Sequence, residues 1–298
     1  MKGCRWSFAG ALARIAIGFA AIGLGEAAAL ELHAYRQSPF DLALTGRLAG
    51  VTPGETRYVR WAELRALPVV KLRLTGEFVP GEQEVTVVFL TELWKQLPRG
   101  EGADTLLASC GDGYAAVFRK DFIARDRPFL VLEINGHGPN EWPPAGLKFN
   151  PGPYVISVSA EVEPAVARLL DAGHKKPWGV TMLELANFSE RFRGVFSGAW
   201  AALSPAAAEG REIWINSCAS CHEGPAGIFG GRKSGQAFAV IEAIAGYNPA
   251  LFKTYVRTPK AVSAEAKMEA HPHYSDAQFD AILAFITAGA AAPAPPRR

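Results

Sequence analysis

The period of apolar and polar positions changes along the chain, and those changes mark its elements. From Val69 to Thr75 the pattern alternates, with Val70, Leu72 and Leu74 on one face and Lys71 and Arg73 on the other. That alternation predicts a half-buried strand. Leu42–Thr45 (closed by Gly46), Val85–Phe89, Phe129–Ile134 and Tyr154–Val158 are short apolar runs of strand type. Thr105–Ala108 and Tyr114–Phe118 flank a Gly111-Asp112-Gly113 turn and read as strand–turn–strand. Helical character is confined here to Trp61–Leu67, stopped by Pro68, and Thr91–Leu97, stopped by Pro98. Many short strands with few helices predict an α+β domain, mostly β, over residues 30–170.

Beyond a connector over residues 171–204 the helical period dominates. In the connector, Phe188, Phe192 and Phe196 recur every four residues, one face if the segment is helical; core packing is their plain role. Ser204-Pro205 supplies an N-cap and a proline at the first helical position, opening a helix to about Asn216. Ser275-Asp276-Ala277-Gln278 is a capping box. After it Phe279, Ile282, Leu283 and Ile286 form one apolar face, ended by Gly289. The second domain is therefore all-α, over residues 205–290, with an Ala- and Pro-rich tail at 291–298 predicted to be disordered.

The first 29 residues have a different character. Lys2, Arg5 and Arg14 precede or flank an apolar run from Ile15 to Gly25, followed by Ala27, Ala28 and Ala29. This is the pattern of a signal peptide, and the run is short of the ~20 residues a spanning helix needs. The expected mature protein is periplasmic, with no membrane span after signal cleavage. The formal net charge of the 298 residues is +2, drawn largely from this leader, so there is no electrostatic case for nucleic acid as a partner. Of four cysteines, Cys4 goes with the leader, and Cys110 is left as a single thiol, whose commonest fate is inert burial.

The other two cysteines carry the chemistry. Cys218-Ala219-Ser220-Cys221-His222 has the spacing of a c-type haem attachment site. Two thiols can add to the two vinyl groups of one porphyrin, and the adjacent imidazole then lies under the iron. A zinc knuckle would need a second ligand pair, and no cysteine follows; a redox dithiol would sit beside a βαβ pattern, and these flanks read as helical. Residues 205–290 thus resemble a class I c-type cytochrome. Gly210 with Trp214, and Ile282 with Phe285, match that family's close crossing of first and last helices. The resemblance implies one covalent haem c on Cys218 and Cys221, with His222 and Met268 as axial ligands. Met268 lies seven residues before the Ser275 cap, where the family places its methionine, but lacks the usual following proline. His271 and His273 are alternative ligands, and an open position is a third possibility. The family often orients the proximal imidazole on a proline carbonyl; Pro225 is nearer His222 than usual.

Residues 30–170 resemble the molybdopterin-binding domain of the sulfite oxidase type. The matching stretches are Leu44-Thr45-Gly46-Arg47, Trp61-Ala62-Glu63-Leu64 before Leu67-Pro68, Phe89-Leu90-Thr91-Glu92-Leu93 and the Asp112-Gly113-Tyr114 turn. In that family a cysteine thiolate before the Phe89–Leu93 segment holds molybdenum. Val69–Glu84 contains none, so molybdopterin is not expected. His137, in a Gly- and Pro-rich loop, is expected to be solvated. The reading is an electron-transfer protein rather than an enzyme, serving periplasmic redox partner proteins. The rivals are a molybdopterin-dependent oxidoreductase feeding its own haem, and a haem-based sensor.

Overall fold

The computed structural model describes residues 30–225 and 229–289; the expected leader at 1–29 and tail at 291–298 lie outside them. Among the described residues nine strands form one mixed sheet. They are β1 (Leu42–Gly46), β2 (Arg57–Val59), β3 (Val70–Thr75), β4 (Glu82–Phe89), β5 (Thr105–Cys110), β6 (Ala115–Arg119), β7 (Phe129–Ile134), β8 (Tyr154–Ser157) and β9 (Trp178–Ala186). The main path runs β2-β1-β9-β8-β7-β4-β3, and β5 with β6 branches from β9.

Strand β9 joins the parts of this sheet. Along one edge it pairs antiparallel with β5, from Val180 to Ala186. The other edge is shared end to end: β1 runs parallel to Met182–Leu185, and β8 pairs at Trp178 and Val180. Residues 171–204, expected to connect two units, thus place a central strand in the sheet. At the far end, β3 is an edge strand. Its alternation is fully expressed only at buried Leu74, while Val70 stays exposed.

The helices are α1 (Trp61–Ala66), α2 (Leu90–Gln96), α3 (Lys120–Asp126), α4 (Phe188–Arg191), α5 (Pro205–Asn216), α6 (Phe238–Tyr247), α7 (Pro249–Arg257), α8 (Pro259–Val262) and α9 (Asp276–Ala288). Helix α5 starts as its sequence predicts, with the Ser204 hydroxyl accepting from Ala207 N–H and Pro205 at the first position. Helix α9 has the full Ser275–Gln278 capping box. Phe188 and Phe192 stack at 4.7 Å within the helical core, which bears out a packing role for these two; Phe196 meets Phe188 at 5.9 Å but stays exposed.

The β5–β6 hairpin ties sheet and helices together. Leu106, Ala108, Cys110, Ala116 and Phe118 face a core shared with α1, α2 and α3. Their neighbours Leu107, Ala115 and Val117 face the opposite way, into a core with Phe192, Ile213, Trp214, Phe279, Ile282 and Phe285. Alternate side chains of a strand point to opposite faces, so one hairpin lines both cores. The chain is α+β in class.

Candidate functional site

The Cys218–His222 run follows directly from α5. A 3-10 turn, Cys218–Ser220, takes over where the helix ends. The N–H groups of Cys221 and His222 both donate to Cys218 O, at 3.1 and 3.0 Å. This tight turn brings the two cysteines and the histidine into one loop. Both thiols are half-buried and neither is in a disulfide. Burial pushes the Cys218 thiol up to about 12, with the charge of Asp171 adding to it. Burial likewise raises Cys221. For His222 burial acts the other way and favours the neutral imidazole, the form that ligates metals. Its Nδ1 is buried with no hydrogen-bond partner among the described residues, so Pro225, nearer than the family's usual proline, does not supply the acceptor. The Trp214 ring lies 6.1 Å from the imidazole.

Two glycines permit this packing. A Cβ on Gly210 would lie 1.9 Å from Ala281 O, so α5 and α9 cross backbone to backbone. A Cβ on Gly231 would lie 2.2 Å from Ser220 O, which lets the returning loop press on the cysteine turn. Gly231 N–H donates to Ala219 O at 2.7 Å, and Ser234 N–H to Cys221 O at 3.1 Å. The same loop meets the sheet: Arg232 N–H donates to Gly113 O at 2.8 Å, and Lys233 Nζ to Asp112 at 2.6 Å. The turn predicted at Gly111–Gly113 therefore sits against the loop that follows His222.

Met268 is half-buried against the helical core. The two histidines after it face a different group. His273 Nε2 lies 2.8 Å from Asp171 Oδ1, and His271 Nδ1 lies 3.6 Å from the same oxygen. Ser217 Oγ donates to Asp171 Oδ2 at 2.6 Å, and the Tyr274 hydroxyl donates there too. Burial works to raise the Asp171 carboxyl, but His271, Ser217 and His174 outweigh it and hold it below the usual range. Sequence reasoning missed Asp171 and His174. Their partners lie from 46 to 103 residues away, so no local spacing signals them.

Cys110 ends β5 in the sheet-side core. Burial first, then the charge of Asp112, pushes its thiol up to about 12. His137 is more than half exposed, with Glu141 at 3.5 Å, as expected of a solvated loop histidine.

Comparison with known proteins adds little to this geometry. No known family profile matches the chain, and no curated protein sequence matches it. Among solved structures the chain is similar to the sulfane dehydrogenase SoxCD from Paracoccus pantotrophus, at 16% identity and a TM-score of 0.34. That match covers 52% of this chain and 40% of the other, less than half the length of that protein chain.

Proposed function

We propose that this chain is an exported carrier of single electrons that holds one haem c. Cys218 and Cys221 would hold the porphyrin covalently, and His222 and Met268 would bind the iron from its two sides. Residues 205–290 would be a cytochrome c domain, and the part before it a sulfite-oxidase-like domain without molybdenum that docks a periplasmic redox partner. The observation that carries the reading is the turn at 218–222: two unpaired thiols and a neutral imidazole, held together by bonds to Cys218 O. The donor set fits the group. The thiols are the nucleophiles that thioether formation needs, and the imidazole is in its ligating form. The close crossing at Gly210 is a second point in favour. Bound haem would supply an iron centre that gains and loses one electron. The protein's own residues fix the macrocycle, exclude water through the Trp214–Phe285 core, and offer a thioether that favours ferrous iron.

The rival enzyme needs a thiolate for molybdenum. Cys110 is misplaced for one, because it follows the Phe89–Leu93 segment and ends β5 inside the sheet-side core.

The test is direct. A denaturing gel of the full chain, stained for haem peroxidase activity, is expected to give a band at the chain's own size. Metal analysis is expected to give one iron per chain and no stoichiometric molybdenum. Haem extracted by acid acetone sinks the covalent reading. One molybdenum per chain, lost in Cys110→Ser, makes the protein an enzyme with its own electron outlet.

A further inference from the structure

We propose that Asp171, His271 and His273 form a second metal site, for a divalent ion of the zinc or copper class, separate from the His222 centre. The inference rests on this cluster's geometry and not on the haem reading. One ligand atom from each residue lies within 4.8 Å of the other two. Both imidazole nitrogens converge on a single carboxylate oxygen, Asp171 Oδ1, at 2.8 and 3.6 Å. Ligands about 2.0–2.1 Å from a tetrahedral ion stand about 3.3 Å apart, close to the spacing already present.

The plain alternative is a hydrogen-bond hub in which both rings donate to the carboxylate. It accounts for His273 but less well for His271, whose buried Nδ1 stands 3.6 Å from Asp171 Oδ1, beyond hydrogen-bond reach, and has no hydrogen-bond partner among the described residues. A buried polar atom left so costs free energy, and an ion between the three groups would engage it. The surroundings suit a ligand set. Ser217 and Tyr274 both donate to Oδ2, which fixes the carboxylate and leaves Oδ1 for the ion. His271 is held by its own N–H to Val256 O at 3.1 Å. Its ring stacks between His174 at 5.4 Å and Tyr274 at 4.9 Å. His273 is half exposed, so an ion has a way in and water can take the fourth position. Two imidazoles and one carboxylate favour zinc or copper over magnesium or calcium, which take oxygen ligands. An ion here would tie the loop that carries Met268 to the segment before β9.

The experiment uses the full-length protein, stripped with a chelator and titrated with zinc sulfate by calorimetry. Bound zinc is counted by elemental analysis, and its ligands are read by X-ray absorption at the zinc edge. The expected result is one zinc per chain with two imidazole ligands. Affinity should fall at least tenfold in His273→Ala and in Asp171→Asn, with the visible spectrum of any haem unchanged. His273→Gln guards against misfolding, because it keeps a polar side chain at a half-exposed position. Zinc binding that is absent, or equal in all three variants, overturns the proposal. So does a changed haem spectrum in metal-free His273→Ala, which would make these histidines ligands of the iron. If the chain carries no haem, the dependence of zinc binding on His273 still reads this site, so the two readings fail separately.

Discussion

At the scale of single residues, the sixth iron ligand turns on what each candidate already touches. His271 and His273 are directed to Asp171, whereas Met268 lies half-buried against the helical core beside them. On the proposed reading, Met268→Ala should abolish the weak charge-transfer band at the red end of the ferric spectrum and lower the potential, since a thioether favours ferrous iron. Optical titration of the variant beside the native protein checks this. A native protein without that band removes Met268 from the site. The Cys218–His222 run was legible in the sequence because covalent attachment demands a fixed local spacing. Asp171 was not, because its partners Ser217, His271, His273 and Tyr274 meet it only through the fold.

Elements were legible where local signals are strong and illegible where pairing overrides them. Both terminal helices of the helical part carry caps in their sequence, and both start where those caps place them. β9 was missed because Met182-Leu183-Glu184-Leu185-Ala186 is rich in helix formers. Three strand partners hold it extended, as tertiary context often does. Helix α6 lacks a capping signal, since its N-cap is Ala237; α7 has one of the same kind as α5, Asn248 accepting from Leu251 N–H with Pro249 at the first position, which sequence reasoning missed. The most exacting element contact is the α5–α9 crossing. A methyl group on Gly210 would meet Ala281 O at 1.9 Å, Ala281 C at 2.3 Å and Ile282 N at 2.8 Å, all of them backbone. Gly210→Ala should therefore cost about 3 kcal/mol by overpacking, despite the ~1 kcal/mol that alanine gains in an isolated helix. Urea unfolding at neutral pH measures it. A neutral or stabilising result would mean that the helices do not cross so closely.

For the whole molecule, the question is what locks helices to sheet. The apolar hairpin β5–β6 is one part, and its strands and turn were legible in Thr105–Ala108, Gly111–Gly113 and Tyr114–Phe118. The docking of the helices on its second face was not, since either face of such a hairpin could be the outer one. Lys175 is the other part. It is buried at the junction, donating to Val117 O at 2.7 Å and Asn216 Oδ1 at 3.0 Å. Burial pushes its amine down from 10.5 to about 7, with Asp126 pulling weakly the other way. Between those values the unfolded chain holds a proton that the folded chain has released. Stability must then rise with pH across that window. The contribution is complete above pH 10.5 and is lost as pH falls toward 7. Replacing Lys175 with methionine should flatten this rise. The melting temperature of the native protein should climb from pH 7.5 to 9.5 by more than that of Lys175→Met, as followed by circular dichroism. Equal slopes would mean that Lys175 stays charged in the fold.

The place of β9 in the sheet also sets an order of events. β1 is the first of the nine described strands to be made, yet its parallel neighbour is the last of them. β5 and β8 wait for the same segment. A chain growing from its N-terminus therefore carries an open sheet until Ala186 has been added, with the long loop closures this entails. The Cys218–His222 run emerges soon afterwards. How long the nascent chain stays unfinished is thus decided by where one strand stands in the sequence, and the cysteines arrive when that wait is ending.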